Sequence, residues 1–339
     1  MNFSKPLLVE VTRGSLIEST HQVDAVAVNT NGHIISSWGE VHKEIYARSA
    51  LKPIQAIPLI ETGAAKYFNL SPVEVALTCA SHQGEPAQIK GVEGMLNKIG
   101  LDVNSLECGE QWPLNLMERH GLSQLSIEPT KLHNNCSGKH AGFLSTAIHL
   151  NEDIEGYINP EHPVQIRVCS TIAEMTDCDI KSTARGTDGC GIPVIGMPLN
   201  RLAHGMAQMA NPNAHSRTRK EAIDQIMTSM RGNPKMVGGS KNVDSIGIAN
   251  LNGIILKGGA EGVHIAIVPQ DGIGIALKTR DGNQRAGNVA IFWILNQLGL
   301  ISKSILKSLS PLLEPQIHNT LGSVVGSIHA RQQMFSKNE

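Results

Sequence analysis

Apolar positions recur at helical spacing through the middle of the chain and gather into short runs near both ends. The helical spacing predicts helices over 86–99, 137–150, 163–175, 199–209 and 216–230. Near the start, AVAVNTNGHIISSWG (25–39) sets Asn31-Gly32 between two apolar stretches, which predicts a hairpin with a type I′ turn. Pro53 is tolerated only in a first helical turn, so a helix should begin beside Ser49, and Gly63 is a fitting stop. After Val243 short apolar runs alternate with Asn-Gly, Gly-Gly and Asp-Gly turns. Three or four antiparallel strands are expected there, followed by a helix at about 283–297. Early and late strands then share one sheet, with helices on its faces and a helical lobe inserted. This is an α+β architecture of a single two-lobed unit. The sheet lobe takes roughly 1–80 and 240–335, and the helical lobe roughly 81–239.

Composition narrows this picture. A chain of 339 residues buries a large core, and with 41% hydrophobic but only 3% aromatic residues that core must be aliphatic. Basic (29) and acidic (30) residues nearly cancel, so no charge excess favours nucleic acid or an anionic membrane as partner. The longest apolar run, 289–295, covers seven residues, against about 20 for a bilayer span. The start of the chain, MNFSKPLLVEVTRG, lacks the basic and apolar regions of a signal peptide. Six scattered cysteines, without an export signal, point to free thiols or a metal site rather than disulfides. The expectation is a soluble cytoplasmic protein.

Five polar stretches carry candidate chemistry. Ser-x-x-Lys occurs twice, as Ser49-Ala-Leu-Lys52 and as Ser304-Ile-Leu-Lys307. The second copy lies in a lysine-decorated amphipathic segment and reads as solvated surface. The first is flanked by Ala50, Leu51, Ile54, Ala56 and Ile57, so its helix should be buried. Residues three apart share a helix face, burial disfavours a lysine's charged form, and such a lysine can take a serine proton. Free amides at the helix start would also face a developing oxyanion. The plain alternative is a helix-capping serine beside a snorkelling lysine.

LTCASHQGEP (77–86) offers Ser81 as a second hydroxyl, with His82 or Gln83 lining a pocket, or else a simple polar turn. HNNCSGKHAGF (133–143) and ARGTDGCGIP (184–193) have the composition of loops that present groups to a ligand. Cys136 and His140, one helical turn apart, with Cys190 as a distant third donor, would suit zinc. The alternative is two buried cysteines acting as small hydrophobes. Lys257, ahead of Gly258-Gly259, is placed where a strand gives way to a turn. It either points into a cleft or blunts a sheet edge.

A Ser-x-x-Lys at a buried helix, a mid-chain serine and a late lysine-glycine strand resemble the order of parts in serine β-lactamases, penicillin-binding proteins and their glutaminase relatives. Here the strand reads Lys257-Gly258-Gly259 and the second serine element Ser81-His82-Gln83, departures that argue against a β-lactam enzyme. The blocks RSALKPIQ, CASHQGEP, NNCSGKHAGFL, GTDGCGIPV and KGGAEGV, spread over about 48–263, resemble more closely the rhizobial-type (class 3) L-asparaginases, which share that fold.

This resemblance implies that Ser49 is the nucleophile, Lys52 its base, and Ser81 with Lys257 a second serine–lysine pair. It implies a zinc site of Cys136, Lys139 and Cys190, with Lys139 in place of the His140 that spacing favours. His140 then remains a pocket residue, and Arg48, Asn135 and Asp188 hold the charged ends of the substrate. L-asparagine hydrolysis and a homodimer follow from the same resemblance. Two readings stay open beside it. One is a glutaminase or other small-amide serine–lysine hydrolase; the other is a non-catalytic zinc or amino-acid binder.

Overall fold

The computed structural model describes residues 2–333. By internal packing the chain divides into two units. Among the described residues the first comprises 2–50, 197–210 and 256–333, and the second 51–196 and 211–255.

The first unit is built on an antiparallel sheet. Its strands run in the order Gln316–His318, Val324–Gln332, Leu7–Arg13, Leu16–Asn29, Ile273–Thr279, Val263–Val268 and Ile255–Gly259. Early and late segments therefore share one sheet, as the pattern of apolar runs predicts. The central strand Leu16–Asn29 shows why. Its first half is mostly exposed, whereas Val23–Val28 is buried without alternation, as expected where both faces are covered. That buried half pairs with Ile273–Thr279 in the register Ala25↔Leu277. Helices Leu199–Ala210 and Gln284–Gln297 pack on the sheet and complete an aliphatic core.

The hairpin at Asn31-Gly32 exists, joining Leu16–Asn29 to Ile34–Trp38, but its turn is not type I′. Of the two residues only Gly32 has positive φ. The Asn29 carboxamide oxygen accepts from the amides of Asn31 and His33, and this side-chain turn replaces the two-residue loop.

The second unit is mainly helical. Predicted helices appear as Pro86–Lys98, Ser137–His149, Pro163–Thr176 and Arg217–Gly232. Ser137–His149 is its central element, buried continuously from Ser137 to Ala147. It crosses Pro72–Thr78 at backbone distance: a Cβ on Gly138 would lie 2.3 Å from the Leu77 carbonyl oxygen. Gly138→Val should therefore cost about 1–3 kcal/mol, the usual cost of overpacking, read as a lower urea midpoint at unchanged m-value. Arg219 binds Glu61 through its Nε and Nη2 groups and Glu174 at 3.1 Å, tying three helices together.

Two local expectations are corrected. Residues 243–250, read as the start of the strand region, form a helix capped by the Asn242 side chain on the Asp244 amide; three strands follow it in sequence. The helix expected beside Ser49 is broken into a 3₁₀ turn, Arg48–Leu51, and short helices Lys52–Gln55 and Ile57–Glu61. Pro53 and Pro58 supply no amide to continue a single ladder. Gly63 ends the series at φ 85°.

Candidate active site

In the first unit, Ser49 sits half-buried within the Arg48–Leu51 turn rather than at the cap of a longer helix. The Ala50 amide already donates to the Ala47 carbonyl at 3.2 Å, so it is not a free donor for an oxyanion. A four-residue helix starting at Lys52 also carries little dipole, so the helix-end stabilisation expected from sequence is not available there. Arg48 holds φ 51°, an uncommon left-handed conformation for a non-glycine residue. Against this turn lies the strand Ile255–Gly259. A Cβ on Gly259 would stand 2.9 Å from the Ala47 carbonyl oxygen and 3.2 Å from the Ala50 nitrogen. The strand carrying Lys257 thus meets the turn carrying Ser49 backbone to backbone. Lys257 is buried, and its Nζ donates to the Gly258 carbonyl at 2.6 Å.

In the second unit, Lys52 is fully buried. Its Nζ donates to the Ala80 carbonyl, to Ser81 Oγ at 3.2 Å and to Cys136 Sγ at 3.1 Å. Ser81 follows the end of helix Pro72–Thr78, where the Cys79 and Ala80 amides still turn back to Ala76 and Leu77. Its own amide donates to the Val237 carbonyl at 3.0 Å. Cys136 caps the central helix, and the close crossing at Gly138 sets that helix end against Leu77. Asn135 donates its amide to Gln111 Oε1 at 3.2 Å and receives the His82 amide on its carbonyl at 3.1 Å.

A second cluster adjoins the first through Cys136. Lys139 Nζ donates to Cys190 Sγ at 3.2 Å, and the two thiols share a hydrogen bond. Hydrogen bonding from Cys190 pulls the Cys136 thiol well below the usual range, helped by the positive Lys52 and Lys139 against the opposing effect of burial. Cys190 is pushed up by the same shared bond and by burial. Burial disfavours the Lys139 ammonium, but Cys136, Cys190 and Asp188 outweigh it and raise its pKa. Asp188 lies at the turn before Cys190, where its amide donates to the Ile192 carbonyl at 2.8 Å.

His140 is fully buried, with Nδ1 2.7 Å from the Tyr157 hydroxyl, which also accepts the Glu107 amide at 2.8 Å. Its Nε2 has no hydrogen-bond partner among the described residues. Burial and the charges of Lys139 and Lys52 hold its pKa well below the usual histidine range. Among the described residues no three His, Cys, Asp or Glu side chains form a group able to hold a metal ion. The trio Cys136, His140 and Cys190 drawn from spacing is therefore not assembled. Cys136, Lys139 and Cys190 do cluster, and two sulfurs with one amine make a donor set zinc accepts once the protons leave.

His82, fully buried, has its pKa lowered to about 3 by burial and by the charges of Lys52 and His133. Unfolded, it binds a proton below about pH 6.5, while the folded chain does not until far lower pH. The stability this contributes is present above pH 6.5 and is lost as pH falls, at about 1 kcal/mol per pH unit. Urea midpoints at pH 7, 6 and 5 should fall more steeply for the native chain than for His82→Gln.

The Lys52–Cys136 contact, the His82–Ser137 bond at 2.8 Å and the Tyr157–His140 pair are not foreshadowed by any sequence motif. Their partners lie 84, 55 and 17 residues apart, and no spacing rule links them. The other Ser-x-x-Lys copy is exposed at Ser304 and Lys307, as expected of solvated surface. No helix of the described residues is long and apolar enough to cross a membrane.

Among solved structures the chain is similar to a β-lactamase from Mycobacterium bovis (13% identity, TM-score 0.41), covering 82% of this chain and 95% of that one. A β-lactamase from Sphaerobacter thermophilus gives 14% identity and TM-score 0.41, covering 83% and 93%. Mglu in its Tris and glutamate form gives 13% and 0.38, covering 82% of this chain and 59% of that one. No curated protein matches by sequence. The family profile for L-asparaginase II matches residues 9–330, nearly the whole chain and all five sequence blocks. The chain belongs to the L-asparaginase II family of amidohydrolases.

Proposed function

We propose that the protein hydrolyses L-asparagine to aspartate and ammonia through an acyl-enzyme on Ser49. The observation that carries this reading is the buried Lys52 amine, 3.2 Å from the Ser81 hydroxyl, in a chain of an amidohydrolase family. A lysine is costly to bury and is kept so where its proton has work to do. In this reading Lys52, three residues along the chain, accepts the Ser49 proton as the oxygen attacks the side-chain amide. Ser81 and Lys257 deliver a proton to the departing ammonia, and water then releases aspartate from the ester. Arg48 takes the α-carboxylate and Asp188 the α-ammonium by charge-assisted hydrogen bonds, with Asn135 and His140 as further polar contacts. The His140 Nε2 left without a partner favours its inclusion, because a buried unsatisfied group is costly.

Cys136, Lys139 and Cys190 would hold zinc. A bound zinc would supply a fixed positive charge among the binding groups. Cys136→Ser should remove zinc from the purified chain, measured by elemental analysis, with little change in melting temperature. Zinc retained at wild-type stoichiometry would exclude this ligand set. A homodimer remains part of the proposal and is read directly from the sedimentation coefficient.

The substrate is tested by comparing ammonia release from asparagine and glutamine under matched conditions. One extra methylene is worth about 10- to 200-fold in kcat/KM when a pocket rejects it. Preference for glutamine would replace asparagine in the reading, and binding of aspartate without turnover of either amide would exclude hydrolysis.

A further inference from the structure

We propose that His82 is a positioning residue for Ser81, acting through the hydroxyl of Ser137. The Gly84 amide donates to His82 Nδ1 at 3.2 Å. An amide can only donate, so Nδ1 holds a lone pair and Nε2 carries the proton. Nε2 then donates to Ser137 Oγ at 2.8 Å, and that hydroxyl donates onward to the Leu132 carbonyl at 2.9 Å. The His82 amide in turn donates to the Asn135 carbonyl at 3.1 Å, so both ring nitrogens and the backbone donor of this buried residue are satisfied.

The chain of bonds fastens 82–84, a stretch outside helix, to 132–137, which runs from the 3₁₀ turn Lys131–His133 to Ser137, where the central helix begins. Lys52 Nζ bridges beside these bonds, reaching Ser81 Oγ, next to His82, on one side and Cys136 Sγ, next to Ser137, on the other. The imidazole thus sets the gap that the lysine bridges. No other side chain serves both ends: asparagine places a polar atom near Nδ1 only, and glutamine near Nε2 only. An off-line shift of about 1 Å at such a contact is worth about 100-fold in rate.

The kinetic arm rests on the amide-hydrolase reading. In the full-length chain, His82→Asn and Ser137→Ala should each lower kcat for asparagine by about 10- to 100-fold. KM should stay within about twofold, since the substrate contacts are left in place. His82→Gln, which can still donate to Ser137, should recover most of the rate. Because both residues act through one bond, His82→Asn with Ser137→Ala should be no worse than the weaker single variant. Losses that multiply, or an unchanged kcat, would overturn the proposal. If His82→Asn fails to fold, Ser137→Ala, which removes one hydroxyl, carries the test. A crystal structure of Ser137→Ala tests the positioning role independently of turnover. Ser81 Oγ should move out of hydrogen-bond reach of Lys52 Nζ, and an unchanged contact would overturn the proposal even in a chain that cleaves no amide. A native chain that releases no ammonia would sink only the hydrolase reading.

Discussion

Ser49→Ala is expected to abolish ammonia release from L-asparagine while leaving the melting temperature close to that of the native chain. The hydroxyl is half-buried in a short turn, so its loss removes no packing of consequence. The turn itself is held by the Ala50 amide on the Ala47 carbonyl and by the close approach of Gly259, neither of which needs the side chain. Removing the nucleophile of a covalent hydrolase costs about 10⁶-fold in kcat where it has been measured, and a loss of that order is expected here. The residual rate distinguishes the alternatives. A folded Ser49→Ala protein that keeps roughly a tenth or more of its activity would remove Ser49 from the mechanism, because a tenfold effect is only about 1.4 kcal/mol. Mass spectrometry after rapid quenching with asparagine should also show an acyl adduct on the native chain and none on the variant.

Replacing Lys52 should have the next largest effect. Its Nζ touches both Ser81 and Cys136, and it is fully buried. Lys52→Met keeps most of the side-chain volume but withdraws a donor from the Ala80 carbonyl, the Ser81 hydroxyl and the Cys136 sulfur. A fall of about 10²–10⁴-fold in kcat is expected from loss of a proton-transfer group. Stability should fall as well, by about 1–3 kcal/mol for polar groups left unpaired in the interior. Lys52→Arg should not restore the rate, since a guanidinium keeps its proton and its planar fork fits neither the short reach nor the three partners. Full activity in Lys52→Arg, measured by steady-state ammonia release, would show that the residue supplies only positive charge. Zinc content should be followed in the same preparations, because Cys136 loses its neighbouring cation in Lys52→Met.

The two effects differ in what they probe. Ser49 is tested on its own atom, whereas Lys52 is coupled to Ser81 and Cys136. Its loss is therefore expected to be non-additive with Ser81→Ala, while losses from distant surface changes should simply add.

Local rules are strong where a single segment decides its own structure. Pro86–Lys98 and Pro163–Thr176 begin on prolines, and Arg217–Gly232 follows the serine that caps it, so their starts are written in the chain. The late strands are set by apolar runs and glycine turns, and the α+β class follows from the order of these pieces. The short helix Val243–Asn250 shows the limit: VDSIGIAN reads equally as strand, and the Asn242 cap decides it. The helix beside Ser49 shows another, since Pro53 and Pro58 divide what apolar spacing presents as continuous.

Five separated blocks marked Ser49, Lys52, Ser81, Cys136, Lys139, Cys190 and Lys257 as residues of interest. Their partners were decided only by the fold. The sequence paired Lys52 with its neighbour Ser49, because local spacing can propose only near contacts. The tertiary structure brings Lys52 to Ser81 and Cys136, because the glycine-sized crossing of the central helix over Leu77 sets the two chain segments side by side. The same limit governs the thiol pair. One helical turn favoured His140 with Cys136, yet packing turns His140 to Tyr157 and leaves Lys139 against Cys190. Composition and motif therefore determined which chemical groups this protein possesses, and burial with long-range packing decided which of them meet.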